Sequence, residues 1–454
     1  MVVGRWPAAI RPDDRIHSTC RASNEQLRLF ILKFALFMFA FMAISALAQE
    51  SSQPSNHEHM QHEHLGMTMD MPSAPVAQFA SGTSWIPATS PQFMWMKPLG
   101  NWTLMAHGEL FLGYNQQGGR LGVGKAESEN WLMLMEERKL GGATLQVRQM
   151  LSAEPLTAPH PGYPELFQTG ETYRGRALVN YQHPHDVFSE LSALLSVPVS
   201  DKITWLLYGG PAGEPALGPT AFAHRISAAE NPAAPLGHHV QDSTHISYGV
   251  VTSGFVIDRF KIEASAFNGR EPDERRYNFD LAPLDSWSAR LSVAPGRNWT
   301  AQYSYGHLVH PEAIEPGNTN RQTASVAYNR RFTAGNWATT LIWGRNFKEA
   351  TRRVQNSYAL ESTVNFARRN YAYTRLELVD KDELFPAALS AASYRIGAYT
   401  LGGVRDLVQG KYGQVGLGAD VTFYSKPVAL DPVYGRDPVS LHVFLRFRPP
   451  AMGH

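Results

Sequence analysis

The residues best suited to chemistry form a short tract of alternating histidine and methionine near the start of the chain. Imidazole nitrogens bind copper(II) and zinc, and thioether sulfurs select copper(I). An alternating tract offers both kinds of ligand without a preformed fold. We therefore expect a tail that binds Cu(I) or Cu(II), with no cofactor required, through His57, His59, Met60, His62, His64, Met67, Met69 and Met71. The alternative is a solvated low-complexity tail that binds metals as any histidine-rich tract would.

A second group of histidines lies in the stretch 209–245, which is rich in proline and glycine. Its proline content predicts a rigid, ordered connection, and we expect metal ligands at His238, His239 and His245. The alternatives are an anion site, a plug over the lumen of the barrel that is predicted below, and an external loop whose histidines bond to the backbone. The stretch is similar to one found in uncharacterised outer-membrane proteins of Gram-negative bacteria.

The sequence Asp242-Ser243-Thr244-His245 contains the residue types of a hydrolase triad. Triads are recognised by geometry rather than by adjacency, and the chain has no G-x-S-x-G nucleophile elbow. We therefore expect that the protein is not an enzyme, and we keep an outer-membrane hydrolase as the least favoured alternative.

The elements that must position these residues are β-strands, because apolar and polar residues alternate over much of the chain after residue 100. In 412–424, 285–294 and 371–380, one face is apolar and the other is polar, small or charged. Successive strand residues point to opposite faces, so this pattern predicts a transmembrane antiparallel barrel with a polar lumen. We count about 16 strands, with 14–18 possible. Aromatic girdles are predicted at Trp102, Trp131, Trp299, Trp337 and Tyr412.

Charged residues on the polar faces predict a lumen with a strong electric field. Arginine is costly in lipid but tolerable in a wet lumen, where it can pair with acids. A dense run of charges at 268–276 adds a predicted constriction, with a self-paired solvated loop as the alternative. The expected pore-lining residues are Arg290, Arg375, Glu377, Asp420, Arg270, Glu271, Asp273 and Glu274.

Export is predicted by the apolar run at 34–47, which three basic residues precede and the Ala46-Leu47-Ala48 cleavage pattern follows. The predicted segments are a signal peptide at 1–48, a disordered periplasmic tail at 49–87, the barrel at 88–448 and a C-terminal tail at 449–454. The single cysteine, Cys20, lies in the signal peptide, which excludes disulfides from the exported part. With 41 basic and 40 acidic residues, the chain lacks the basic surface that nucleic-acid binding requires.

The His/Met tract in front of a predicted barrel resembles the leader of the copper-resistance protein B family, which consists of outer-membrane barrels with a similar tail. The resemblance implies copper handling in the bacterial outer membrane. Phe447, near the end of the last predicted strand, resembles the signal read by the barrel insertion machinery. The expected partners are outer-membrane lipid, that machinery, and small solutes or metal ions, but no nucleic acid.

Three functions are compatible with these features. The first is a porin-like channel for small solutes, whose tail collects copper or another soft metal at the periplasmic mouth. The second is a metal-sequestering barrel that conducts nothing. The third is the outer-membrane hydrolase.

Overall fold

The computed structural model describes residues 77–385 and 392–452. Within these ranges the strands join into one closed antiparallel β-barrel with sixteen strand positions. This confirms the predicted all-β barrel and its strand number. The predicted signal peptide at 1–48 and the His/Met tract lie outside the described residues. No helix in the described ranges is both long and apolar enough to cross a membrane.

The wall strands are numbered in chain order. They are β1 (Trp102–Gln116), β2 (Asn130–Leu140), β3 (Ala143–Leu151), β4 (Phe188–Ser200), β5 (Ile203–Ala212), β6 (Val250–Ile257), β7 (Phe260–Phe267), β8 (Ser286–Gly296), β9 (Trp299–Leu308), β10 (Thr319–Phe332), β11 (Gly335–Lys348), β12 (Arg353–Phe366), β13 (Asn370–Lys381), β14 (Tyr394–Gly410), β15 (Gly413–Ser425) and β16 (Val439–Arg448).

The barrel closes where β16 pairs with the second half of β1. The first half of β1 pairs instead with the short strand Trp95–Leu99, which continues the position of β16. On its other side, β1 pairs with β2 and with the short strand Gly124–Glu127. Eighteen segments therefore occupy sixteen positions.

The barrel buries its charges and exposes its apolar residues. On β8, Leu291 is 52% exposed, whereas the neighbouring Arg290 is only 2% exposed. A soluble protein rarely exposes a large contiguous apolar surface, so this outer face is that of a barrel in a membrane. Apolar side chains on the outer face include Val251, Phe255, Ile262, Leu341, Leu376, Leu401, Leu417, Leu441 and Val443.

The two ends of the barrel differ. At one end the strands are joined by turns of a few residues, as between β8 and β9 and between β10 and β11. At the other end the connections are long, notably 152–187, 213–249 and 268–285. We call these the short-turn mouth and the long-loop mouth. Trp299, Trp337 and Tyr412 lie on the outer face close to the short-turn mouth, as expected for an aromatic girdle.

The N-terminal hairpin and the interior loop, which we call the interior segments, lie inside the barrel. Leu166 and Phe167 of the 152–187 loop also pack there, with Leu236 and Ile396. The N-terminal hairpin consists of the paired strands Ala77–Phe79 and Trp85–Pro87. The interior loop, residues 213–249, contains three single-turn helices, Phe222–His224, His238–Gln241 and Ser243–His245.

The other long connections have little regular structure. The 152–187 loop contains the helix Glu154–Thr157 and two small antiparallel pairs, Tyr163–Pro164 with Tyr181–Gln182 and Glu171–Tyr173 with Arg176–Leu178. The connection before β16 contains the turns Val428–Leu430 and Asp431–Tyr434.

The structure differs from the predicted tail boundaries at both ends of the barrel. Residues 77–87 are folded inside the lumen because Trp85 packs with Leu217 and Phe267 in an apolar cluster there. At the other end, Met94 N donates to Pro450 O, and Met452 N donates to Gln92 O. The described part of 449–454 therefore extends the wall instead of forming a free tail.

Candidate functional site

Arg225 is the main connection between the interior loop and the wall. Its guanidinium donates to both carboxylate oxygens of Glu361 on β12, at 2.8 and 3.0 Å, and to Asp242 Oδ2 of the interior loop at 2.6 Å. The three side chains are at most 2% exposed. A bidentate arginine–carboxylate pair fixes geometry as well as energy, so Arg225 holds the loop in one position. Burial alone would raise the pKa of Asp242, but the charges of Arg225 and His238 hold it well below its usual range.

Arginines on the inner face bind the backbone of both interior segments. These hydrogen bonds satisfy carbonyl groups that would otherwise be buried without a partner. The carbonyl oxygens of Gly82, Gly218, Ala233 and His239 accept hydrogen bonds from Arg148, Arg290, Arg375 and Arg321, respectively. The wall and the interior segments are thus joined by polar contacts on several sides of the lumen.

Small spaces lie between the wall and the interior segments. Four interior cavities have volumes of about 20 to 50 Å³. A cavity of this size holds one or a few water molecules. In the described part of the chain, the lumen is therefore largely filled by protein.

Four of the predicted pore-lining residues lie on the inner face. Arg290 donates to Glu263, Arg375 donates to Glu361, and Glu377 accepts a hydrogen bond from Gly237 N. Asp420 accepts a hydrogen bond from Tyr373 at 2.7 Å. These side chains lie on the inner face, where they contact protein groups because the interior segments cover them.

Most of the charged residues at 268–276, which were predicted to form a constriction, do not point into the lumen. Arg270 pairs with Asp285, and both side chains are about one-third exposed. Asp273 and Glu274 accept hydrogen bonds from nearby loop backbone and do not reach the inner face. Only Glu271 points inward. The self-paired loop alternative describes Arg270 and Asp273, whose partners lie in the 268–285 loop, whereas Glu274 binds the backbone of the 152–187 loop.

His239 is held between two glutamates. Its Nδ1 lies 3.1 Å from Glu271 Oε1, and its Nε2 lies 3.2 Å from Glu171 Oε1. Burial would lower the pKa of His239, but the two carboxylates raise it well above its ordinary value. Burial would raise the pKa of Glu171, but His183 and His239 lower it well below its ordinary value. This clamp joins the interior loop to the 152–187 and 268–285 loops.

His238 and His245 lie together, with ring centres 4.9 Å apart. Their Nδ1 atoms contact Asp242, through Oδ1 at 2.6 Å for His238 and through the backbone oxygen at 2.9 Å for His245. Ser243 Oγ accepts a hydrogen bond from Arg321 at 2.8 Å. These contacts link neither ring to Ser243, so the Asp-Ser-Thr-His sequence is arranged differently from a hydrolase triad.

Two further histidines, which the sequence analysis did not predict to be ligands, lie near His238 and His245. The ring centre of His185, from the 152–187 loop, lies 5.3 Å from that of His245. His224 lies nearer the wall, 5.5 Å from His107 on β1. Burial lowers the pKa of His224 and of His245 well below the ordinary value. His224 belongs to the 209–245 histidine group, whereas the signal for His185 was the His183-Pro-His185 sequence, which is far along the chain from His245.

Methionines on the inner wall lie next to these histidines. His107 Nε2 is 3.0 Å from Met133 Sδ on β2. Met133 is in turn the cross-strand partner of Met150 on β3. Trp131 also points inward, with its ring centre 4.7 Å from that of His224, so its predicted place in an outer girdle is wrong. It shares the inner face because it pairs with Glu109.

Two groups of the described residues bring three ligand-type atoms within 4.8 Å of one another. The first is the clamp of Glu171, His239 and Glu271, in which both ring nitrogens already face carboxylates. The second is formed by Glu315, Asp382 and Glu383, which surround the ammonium of Lys348. A protein cation therefore already satisfies the carboxylates of each group.

The predicted metal ligands of the tail, from His57 to Met71, lie outside the described residues. The chain enters the described part at Ala77, which pairs with Pro87. Thr89 N then donates to Arg297 O, in the turn between β8 and β9. The described chain thus begins towards the short-turn mouth.

No protein-family model and no curated protein matches this chain. Solved structures with a similar shape include the anion-selective porin from Comamonas acidovorans, which is 11% identical, with a TM-score of 0.47 over 76% of this chain and 99% of that chain. The Salmonella typhi OmpF complex with daunomycin is 9% identical, with a TM-score of 0.45 over 78% and 100%. OmpT of Vibrio cholerae, folded in vitro, is 9% identical, with a TM-score of 0.44 over 78% and 99%. Because these TM-scores are below 0.5, the fold assignment rests on the strand pairing of this chain.

Proposed function

We propose that the protein is an outer-membrane channel for small solutes that its own interior segments hold closed. The observation that carries this proposal is the polar character of the inner wall. The face beneath the interior loop carries charged and hydroxyl side chains such as Arg375, Glu361 and Thr340. Water can hydrate these groups when the loop leaves, and a barrel of sixteen strands is wide enough to contain an aqueous channel.

The proposal is tested by locking the interior loop to the wall. Ser227 Oγ of the loop lies 2.7 Å from Thr340 Oγ1 of β11, so the pair Ser227→Cys and Thr340→Cys is placed to form a disulfide. Cys20, the only native cysteine, is replaced by serine in every variant. Conductance is recorded in a planar bilayer before and after reduction.

We expect discrete openings from the reduced double variant and none from the oxidised one. The single variant Ser227→Cys is the matched control and should open under both conditions. Folding is verified by heat-modifiable migration in gels. A folded barrel that never conducts, even after reduction and at high voltage, would rule out the channel.

A second candidate function is a metal-sequestering barrel that conducts nothing. It is favoured by the filled lumen and by the histidines gathered inside it. In either case we propose that the tail lies in the periplasm and binds copper near the short-turn mouth. The start of the N-terminal hairpin towards that mouth supports this placement.

A further inference from the structure

Four exposed arginines lie close together at the short-turn mouth. They are Arg330 on β10, Arg368 and Arg369 in the turn between β12 and β13, and Arg405 on β14. Backbone hydrogen bonds join the segments that carry them, since Arg368 N donates to Ala334 O in the β10–β11 turn and Asp406 N donates to Arg369 O. We call this group the arginine patch.

The arginine patch reaches the outer face of the barrel. Arg330 lies directly opposite Trp337 on β11, and Arg405 lies opposite Leu417 on β15. Directly opposed residues of neighbouring strands share one face of the sheet. Trp337 is 42% exposed and Leu417 is 47% exposed, so these two arginines lie on the side that faces lipid. The guanidinium of Arg405 also donates to Asn370 Oδ1 at 2.8 Å, which holds it at the end of β13.

Exposed apolar side chains adjoin the arginine patch. Phe332 ends β10, Phe366 ends β12, and Leu407 and Val408 follow Arg405 on β14. Their exposed fractions lie between 44% and 54%. An outer face that is apolar along its strands and basic at their ends matches the boundary between lipid hydrocarbon and headgroups, where arginine extends its charge towards the polar region.

The positive charge of the arginine patch is not balanced within the part of the chain that the structure describes. There, none of its guanidinium groups forms an ion pair with a carboxylate, whereas the exposed Arg395 at the long-loop mouth pairs with Asp380. Asp406, which follows Arg405 in the chain, is 1% exposed and pairs with Arg446 inside the barrel. Like charges repel one another, so a cluster of unpaired arginines favours an anionic partner.

We propose that the arginine patch binds the phosphate of anionic phospholipid headgroups in the leaflet at the short-turn mouth. A guanidinium matches the geometry of a phosphate through two parallel hydrogen bonds. The neighbouring apolar side chains favour a lipid over a free phosphate, because acyl chains can lie along them while the headgroup meets the arginines. This surface goes beyond both candidate functions and does not depend on whether the barrel conducts or binds copper.

The test compares the lipids that the folded full chain retains in native mass spectrometry. The protein is folded in detergent micelles that contain equal amounts of phosphatidylglycerol and phosphatidylcholine with the same acyl chains, so that only the headgroup differs. We expect the native protein to retain phosphatidylglycerol in preference to phosphatidylcholine. The preference should weaken as the salt concentration of the binding step rises, because salt screens exposed charges.

Paired substitutions then locate the surface. Arg330→Gln combined with Arg405→Gln should weaken phosphatidylglycerol binding by more than about tenfold, since each basic residue near an anionic surface contributes about fivefold in affinity. Phosphatidylcholine binding should not change. Arg275→Gln combined with Arg436→Gln removes the same charge from exposed positions at the long-loop mouth and should behave like the native protein. Arg330→Lys combined with Arg405→Lys keeps the charge and should restore most of the preference.

The proposal is overturned if the native chain shows no preference for phosphatidylglycerol, or if the paired glutamine variant keeps the preference of the long-loop control. Displacement of the lipid by millimolar inorganic phosphate would assign the patch to a free anion and overturn the lipid assignment. Folding of each variant is verified by heat-modifiable migration. If the glutamine pair fails to fold, Arg368→Gln, in an exposed turn, decides the question with an expected loss of about fivefold.

Discussion

At the scale of single residues, the lumen is organised by buried ion pairs that cross between the wall and the interior loop. Arg225, Glu361 and Asp242 form one of these groups, and each of the three side chains is at most 2% exposed. A buried pair gains little net stability over well-packed apolar residues, but it is strongly destabilising to break. Such contacts therefore fix the position of the loop.

We expect Arg225→Ala to destabilise the folded barrel by about 3–5 kcal/mol, because Glu361 and Asp242 then lose their buried partner. The matched control, Arg270→Ala, removes an exposed pair with Asp285 and should cost at most about 1 kcal/mol. Urea unfolding in lipid vesicles, followed by tryptophan fluorescence, measures both values. Equal losses in the two variants would contradict the proposed role of Arg225.

The His239 clamp predicts a dependence of stability on pH. Its raised pKa means that His239 contributes fully below its unfolded value of about 6.5 and loses this contribution as pH rises through the folded value. The lowered pKa of Glu171 gives a contribution that is present above about 4.5 and lost at more acidic pH. We therefore expect the unfolding temperature to fall as the pH rises above about 6.5 and through the raised pKa of His239. His239→Gln should show a flatter profile over that range, and an unchanged profile would exclude the clamp.

At the scale of elements, the interior loop can approach the wall because small residues lie beneath it. Gly344 on β11 faces the helix His238–Gln241, and a Cβ atom at this position would lie 2.4 Å from Val240 O. That separation is too short for any side chain. The glycine therefore allows the backbone of the loop to contact the backbone of the wall.

Gly344→Leu should displace the interior loop without disturbing the outer face of β11. We expect longer or more frequent channel openings than in the native protein, together with faster proteolysis within 213–249. Gly296→Ala is a suitable control, since its Cβ would meet no atom within 4 Å. Native-like proteolysis of the Gly344→Leu variant would show that the loop does not depend on this contact.

The strands were predictable from the sequence, whereas the contents of the lumen were only partly so. Alternation identifies the inner face of β8, β13 and β15 because a one-residue shift would place Arg290, Arg375 or Asp420 in lipid. It does not reveal what covers that face. The contacts of Arg225 with Glu361 and of His185 with His245 join residues far apart in the chain, and no local pattern encodes such pairs.

At the scale of the whole molecule, the distribution of polarity is the reverse of that in a soluble protein. The outer surface is apolar over most of its strands, and the interior contains the ion pairs. The apolar side chains of this protein are therefore removed from water by the surrounding lipid, whereas those of a soluble protein are removed from water in its hydrophobic core. Stability in a bilayer depends on keeping that outer surface free of charge.

Leu291→Arg should destabilise the barrel in a bilayer by about 2–4 kcal/mol, because it places a guanidinium on the lipid-facing side of β8. Leu281→Arg, at an exposed position in the 268–285 loop, is the matched control and should have little effect. Folding free energies in lipid vesicles compare the two. Equal effects would contradict the assignment of the outer face.

The pairing of β16 with β1, which closes the barrel, bears on the order in which the strands separate during unfolding. β16 and β1 are joined by seven residue pairs, whereas β10 and β11 are joined by fourteen. Arg446 and Arg448 at this joint also bind Glu230 of the interior loop, so the loop braces the joint from inside. Under heat or mechanical load, we expect the wall to unzip first along this seam once the loop has withdrawn. On this expectation, the interior loop stabilises the seam mechanically in addition to filling the lumen.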